Sequence, residues 1–130
     1  MVNQNQPLTA SNIKYLLVLY NICPDNSGTR CVRIAEALCV TKPSVHTMIN
    51  TLKSMELVQK DFYGEVSFTE KGLALAKRYN KYFVMISSYF GEILPKEADA
   101  RSVACAVMAE LPEESINVFC ERCKKRKLNT

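Results

Sequence analysis

The chain has 130 residues, 48% of them hydrophobic, enough for a packed core in one domain or two very small ones. Its formal net charge of +4 does not by itself indicate a nucleic-acid partner: five of the 17 basic residues lie between Arg122 and Lys127, leaving 12 against 13 acidic ones. No apolar run approaches the roughly 18 residues that span a bilayer, and MVNQNQPLT lacks the basic-then-apolar layout of a signal peptide, so no membrane partner and a cytoplasmic location are expected.

In chain order, a first helix is expected to begin near the capping pair Ser11-Asn12 and to bury Ile13, Leu16, Leu17 and Tyr20, with Pro24-Asp25-Asn26-Ser27-Gly28 ending it. A second runs from about Val32 to Cys39, with Val32, Ala35 and Leu38 at helical spacing. After the short link Val40-Thr41-Lys42, Pro43 opens a third helix at the first-turn position that proline favours. That helix extends to about Met55 and turns Val45, Met48, Ile49 and Leu52 inward. Its opposite face carries Ser44, Thr47, Asn50 and Thr51, short polar side chains suited to close approach to base edges.

Two short helices joined by a tight turn form the supersecondary unit that reads DNA. After Leu57 the pattern changes to period two, with Val58, Lys60 and Phe62, then Glu65, Val66, Ser67 and Phe68, and Tyr63-Gly64 supplies the turn of a β-hairpin wing. Residues 1–72 therefore read as a winged helix-turn-helix domain with double-stranded DNA as ligand. Ser44, Thr47, Asn50 and Thr51 are the candidates for base edges, and Arg30, Lys42, His46 and Lys60 for phosphates.

Thr69 can cap a long helix that reaches about Phe90 before Gly91 closes it, with Leu75, Tyr79, Tyr82, Phe83, Ile86 and Phe90 as its apolar set. A further helix from about Lys96 to Leu111 has small residues on more than one side, as an enclosed helix would. The last starts after Pro112 with Glu113-Glu114 and ends in Arg122 to Lys127, in agreement with the helix dipole. Residues 73–130 offer more apolar surface than one wing-helix unit can cover, so they read as a helical dimerisation domain and the chain as a homodimer. The fold class is mainly α with a small β-hairpin wing: a winged helix-turn-helix followed by a helical dimerisation region.

From roughly Thr9 to Phe119 the sequence resembles the metal-dependent transcriptional regulators of the diphtheria-toxin-repressor type, in particular their short manganese-regulator branch. The likeness rests on Arg30 followed by IAEAL at Ile34 to Leu38, PSV at Pro43 to Val45, Leu57-Val58, the wing ending Phe68-Thr69-Glu70-Lys71-Gly72, and Lys77-Arg78 on the long helix. It implies a homodimeric repressor that binds palindromic operator DNA with the helix 43–55 in the major groove. The positions matching the family's DNA contacts are Arg30, Thr41, Pro43, Ser44, His46 and Thr47. Two positions depart from the pattern, Tyr63 where the wing often has arginine and Arg33 in place of a common aspartate. The resemblance also implies a manganese or iron site, but its ligand positions fall on Lys14, Leu17 and Phe83 and near Arg101, Cys105 and Ala106. A hard divalent cation needs oxygen or imidazole ligands, so neither metal nor other cofactor is expected.

Two other readings compete. One is a winged-helix protein-interaction module without sequence-specific DNA binding, which fold alone does not exclude. The other is a thiol redox or zinc switch at Cys120 and Cys123, although no second Cys or His pair accompanies them and the six cysteines are expected as free thiols. Tyr79, Tyr82, Tyr89, Phe83 and Phe90 read as core, with a small-molecule pocket as the alternative. No nucleophile-base-acid constellation or glycine-rich phosphate loop is present, so an enzyme is not expected.

Overall fold

The computed structural model describes residues 7–128. In chain order the described elements are α1 (Ala10–Ile22), β1 (Thr29–Arg30), α2 (Cys31–Leu38), α3 (Lys42–Ser54), β2 (Val58–Lys60), β3 (Glu65–Phe68), α4 (Glu70–Ile93), α5 (Ala100–Glu110) and α6 (Glu113–Leu128). They divide into two compact units, one of residues 14–78 and one of residues up to 13 together with those from 79 onward. The sequence reading drew its line after Gly72. No described helix is long and apolar enough to cross a membrane.

In the unit of residues 14–78 the core gathers Leu16, Leu17 and Leu19 of α1, Ile34 and Ala35 of α2, Val45, Ile49 and Leu52 of α3, and Val58, Val66 and Phe68 of the sheet. On α2 the inward face is Cys31, Ile34 and Ala35. Val32, expected on it, is exposed, because the helix begins at Cys31 and presents the larger apolar set at i, i+3, i+4. Cys39 then takes a left-handed conformation (φ 57°), and Val40 N–H returns to the Ala35 carbonyl at 3.1 Å, closing α2 as a left-handed C-cap does. The Thr41 hydroxyl accepts from Ser44 N–H at 3.3 Å and so caps α3, with Pro43 in its first turn.

The sheet has three strands in the order β1-β3-β2, all antiparallel, rather than the two of the expected hairpin. A two-residue strand carries no period to detect. It is held through Asn26, whose side-chain amide accepts from Phe68 N–H at 2.8 Å and donates to the Phe68 carbonyl at 3.1 Å. Phe62, expected to extend β2, instead lies in the turn. Asp61 explains why: one carboxylate oxygen accepts from Tyr63 N–H and Glu65 N–H, both at 2.9 Å, and its carbonyl accepts from Gly64 N–H at 3.1 Å. Asp61 thereby ends the strand in a side-chain-stabilised turn, and Gly64 supplies the positive φ of 84° that it requires.

Thr69 joins the wing to α4 as expected. Its hydroxyl accepts from Gly72 N–H at 3.0 Å and donates to the Glu56 carbonyl at 2.7 Å, while its N–H reaches the Leu57 carbonyl at 3.1 Å. Gly72 is a close-approach glycine: a Cβ there would stand 1.8 Å from the Leu57 carbonyl oxygen.

The other unit packs Tyr79, Tyr82, Phe83 and Ile86 of α4 with Ala104, Cys105 and Met108 of α5 and Ile116, Cys120 and Cys123 of α6. The cap of α1 is Thr9, not the pair Ser11-Asn12. Asn12 N–H donates to the Thr9 hydroxyl and Thr9 N–H to the Asn12 side-chain oxygen, both at 3.0 Å, a reciprocal box that starts two residues before Ser11 and uses Asn12 as its second member. Gly91 does not close α4, which continues to Ile93 and stops ahead of Pro95, where a residue preceding proline is turned away from helix. The expected start of α5 at Lys96 moves to Ala100, because the Asp99 carboxylate caps Arg101 N–H at 3.1 Å and Ser102 N–H at 3.2 Å. Ala106 is exposed, so α5 is not enclosed on all sides within the described chain.

Candidate nucleic-acid interface

All ten residues that the sequence marks for DNA are exposed: Arg30, Thr41, Lys42, Pro43, Ser44, His46, Thr47, Asn50, Thr51 and Lys60. Seven of them lie on α3, where burying Val45, Ile49 and Leu52 leaves the opposite face outward. Thr41 is its N-cap, and Arg30 stands at the N-cap of α2.

The hydroxyls of that face are partly committed. Thr47 donates to the Pro43 carbonyl at 3.0 Å, Thr51 donates to the Thr47 carbonyl at 3.1 Å, and the Thr41 and Ser44 hydroxyls share a hydrogen bond of 2.8 Å. A threonine bonded back to its helix keeps acceptor lone pairs and a methyl group for an incoming ligand, but no donor. Asn50 differs, because no described residue takes a hydrogen bond from its amide or gives one to it. It therefore presents a donor and an acceptor together, the pair that matches an adenine edge.

Arg30 and Lys60 stand at the same end of the sheet. Arg30 pairs with Glu65 and Lys60 with Val66, so the two cations leave opposite faces of the sheet beside the turn of residues 61–64. At that turn the Phe62 ring is 97% exposed and the Tyr63 ring 76%, edge to face at a centroid distance of 5.6 Å. Sequence reasoning missed this pair by spending Phe62 on strand alternation. Two adjacent aromatics between Asp61 and Gly64, both turn residues, were the available signal.

The remaining candidates come out differently. The Arg101 guanidinium lies 4.7 Å from the Phe83 ring centroid, a cation on an aromatic face at positions where the resemblance implies metal ligands. With lysine, leucine, phenylalanine, arginine and alanine at Lys14, Leu17, Phe83, Arg101 and Ala106, and only Cys105 able to bind, these residues do not fit a manganese or ferrous ion. No three His, Cys, Asp or Glu among the described residues are grouped to hold one. All six cysteines are free, and burial pushes the Cys120 thiol up to about 11, with the neighbouring Cys123 and Glu121 adding to the shift. Such a thiol is a poor nucleophile near neutrality. Tyr82 is buried and donates to the Glu113 carboxylate at 2.7 Å, as a core tyrosine does.

No protein-family profile matches the chain, and no curated protein sequence does. Solved structures do. The manganese regulator SloR is similar over 95% of this chain and 54% of its own length, at 26% identity and a TM-score of 0.69. IdeR of T. acidophilum is similar over 90% of this chain and 55% of its own, at 22% identity and a TM-score of 0.63. A hypothetical protein of Sulfolobus solfataricus, SSo2273, is similar over 91% of both chains, at 23% identity and a TM-score of 0.64. The chain thus spans about half the length of SloR and of IdeR and nearly all of SSo2273. Of these three, SloR is described as a manganese regulator, and what the likeness shows for this chain is the fold. The chain is a winged-helix protein, with the fold that it shares with the manganese regulator SloR and with IdeR.

Proposed function

We propose that the protein is a transcriptional repressor that binds palindromic duplex DNA as a homodimer, with α3 in the major groove, and that it does so without a metal. The observation that carries this reading is the outer face of α3, where Asn50 stands with its amide uncommitted beside the threonine methyls. An amide matches adenine and a methyl matches thymine, so the face is equipped for A·T pairs. The exposed Arg30, Lys42, His46 and Lys60 serve as phosphate contacts that fix register. Two copies related by a two-fold axis would place two such helices about one DNA turn apart.

The dimer is supported by apolar surface in the unit from residue 79 onward, where Val84, Ile93 and Val118 are exposed. Beside Val118, Tyr89, Leu111 and Phe119 line an open groove of about 700 Å³. Metal independence is supported by the Arg101–Phe83 pair, a cation already fixed in place by the chain itself.

Selection of sites from random duplex DNA tests the reading. The expected product is a palindrome bound equally well with chelator and with added manganese. Recovery of no enriched sequence, or binding that requires the metal, would contradict it.

A further inference from the structure

The wing tip holds the most exposed large hydrophobic side chain of the described chain, and the turn around it is rigid. Phe62 is 97% and Tyr63 76% exposed, whereas Asp61 binds the Tyr63 and Glu65 N–H groups at 2.9 Å and its carbonyl holds Gly64 N–H at 3.1 Å. Three hydrogen bonds from one residue fix the turn without burying either ring. A tip ordered in this way presents its aromatics at little further entropic cost on binding.

The surroundings restrict what it meets. Arg30 and Lys60 flank its base on opposite faces of the sheet, with backbones two strand spacings apart, about 10 Å. Two acids stand near them: Asp61, whose carboxylate is held by backbone N–H groups inside the turn, and Glu65, the cross-strand partner of Arg30, whose carboxylate is close to Gly28. An apolar blade between two cations is complementary to a slot with anionic walls and an apolar floor. The DNA minor groove is such a slot, about 6 Å wide, with stacked bases between two phosphate backbones. A protein docking patch calls instead for a broad apolar surface, and this tip offers only two rings.

We infer that Phe62 enters the minor groove as a wedge at a base step, with Tyr63 alongside and Arg30 and Lys60 on the phosphates of the two strands. The inference rests on the DNA-binding reading and adds a second point of sequence preference. Unstacking is least costly at TA and CA/TG steps, so the wing favours such a step at a fixed distance from the bases that α3 reads, and the bound duplex is kinked there.

The test uses the full chain and a duplex recovered by selection, with 2-aminopurine placed in turn at each position flanking the α3 half-sites and dyes at the DNA ends. Wild-type protein is expected to raise 2-aminopurine fluorescence at one step and to shorten the end-to-end distance. Phe62→Ser should lose both signals and bind about tenfold or more weakly, with an unchanged salt slope, while Phe62→Leu, which keeps a wedge, should stay within about threefold of wild type. Wild-type affinity and bending in Phe62→Ser would overturn the wedge and leave the DNA-binding reading intact, with the tip assigned to a protein partner. If the wild-type chain binds no duplex at all, both fail. Phe62 is solvent-exposed, so these variants keep the fold.

Discussion

Asn26 and Phe68 are 42 positions apart in sequence, yet the side chain of the first pairs with the backbone of the second as a neighbouring strand would, through bonds of 2.8 and 3.1 Å. Asn26 does this from a left-handed conformation, φ 58°, which asparagine tolerates better than most residues. The loop after α1 is thereby fastened to the end of β3, and β1 begins three residues later with Thr29 in register with Val66. Asn26→Ala is expected to cost about 2–4 kcal/mol, combining two lost hydrogen bonds with the left-handed penalty. Asn26→Gly, which removes only the bonds, should cost less. No loss for Asn26→Gly in urea unfolding would show that the pairing is not the source of the stability.

Gly72 admits no side chain because the Leu57 carbonyl occupies the place of a Cβ, at 1.8 Å. Gly72→Ala must push the first turn of α4 away from the strand entry and break the Thr69 cap. A loss of about 3 kcal/mol or more is expected, although alanine is the better helix former by about 1 kcal/mol. Stabilisation on thermal melting would contradict the packing described.

Thr29 poses the opposite case. Its hydroxyl is buried without a hydrogen-bond partner among the described residues, on the sheet face shared with Val66. Thr29→Val keeps the β-branched shape and removes the unpaired group, so stability should rise by about 1 kcal/mol. An unchanged or lower melting temperature would mean that the hydroxyl has a partner in solution.

The thiols divide by burial. Cys39 is exposed at the helix-turn-helix corner, while Cys120 is buried and its thiol is raised to about 11. The sign is simple: raising the pKa lowers the reactive thiolate fraction at every pH below it. Iodoacetamide at pH 7.5 should label Cys39 first and leave Cys120 untouched until the fold opens, as read by peptide mass. Faster labelling of Cys120 would revive the thiol-switch reading.

The helix pair and the wing were legible because their signals are local. Pro43 marks a helix start, the stripe of Val45, Ile49 and Leu52 orients it, and Thr69 announces the next helix. What escaped depends on tertiary pairing or on side chains acting on the backbone. The two residues of β1 form a strand only because β3 is beside them, Asp99 decides where α5 begins, and Asp61 decides that Phe62 leaves the strand. At the candidate site, sequence identified which residues face outward. It did not show that the Thr47 and Thr51 hydroxyls are turned back onto α3, which singles out Asn50.

Asn50 therefore offers the most direct test of the central claim. Wild-type and Asn50→Ala proteins would be titrated with the selected duplex and with a duplex altered at one A·T pair, across a range of salt. Three cations per subunit, Arg30, Lys42 and Lys60, on about six phosphates per dimer predict a log–log salt slope of about −5 for both proteins. The wild type should discriminate between the duplexes by about 1–3 kcal/mol at one A·T position, and Asn50→Ala should lose that discrimination while keeping the slope. Equal discrimination by the two proteins at every position, or a flat salt dependence, would contradict the account.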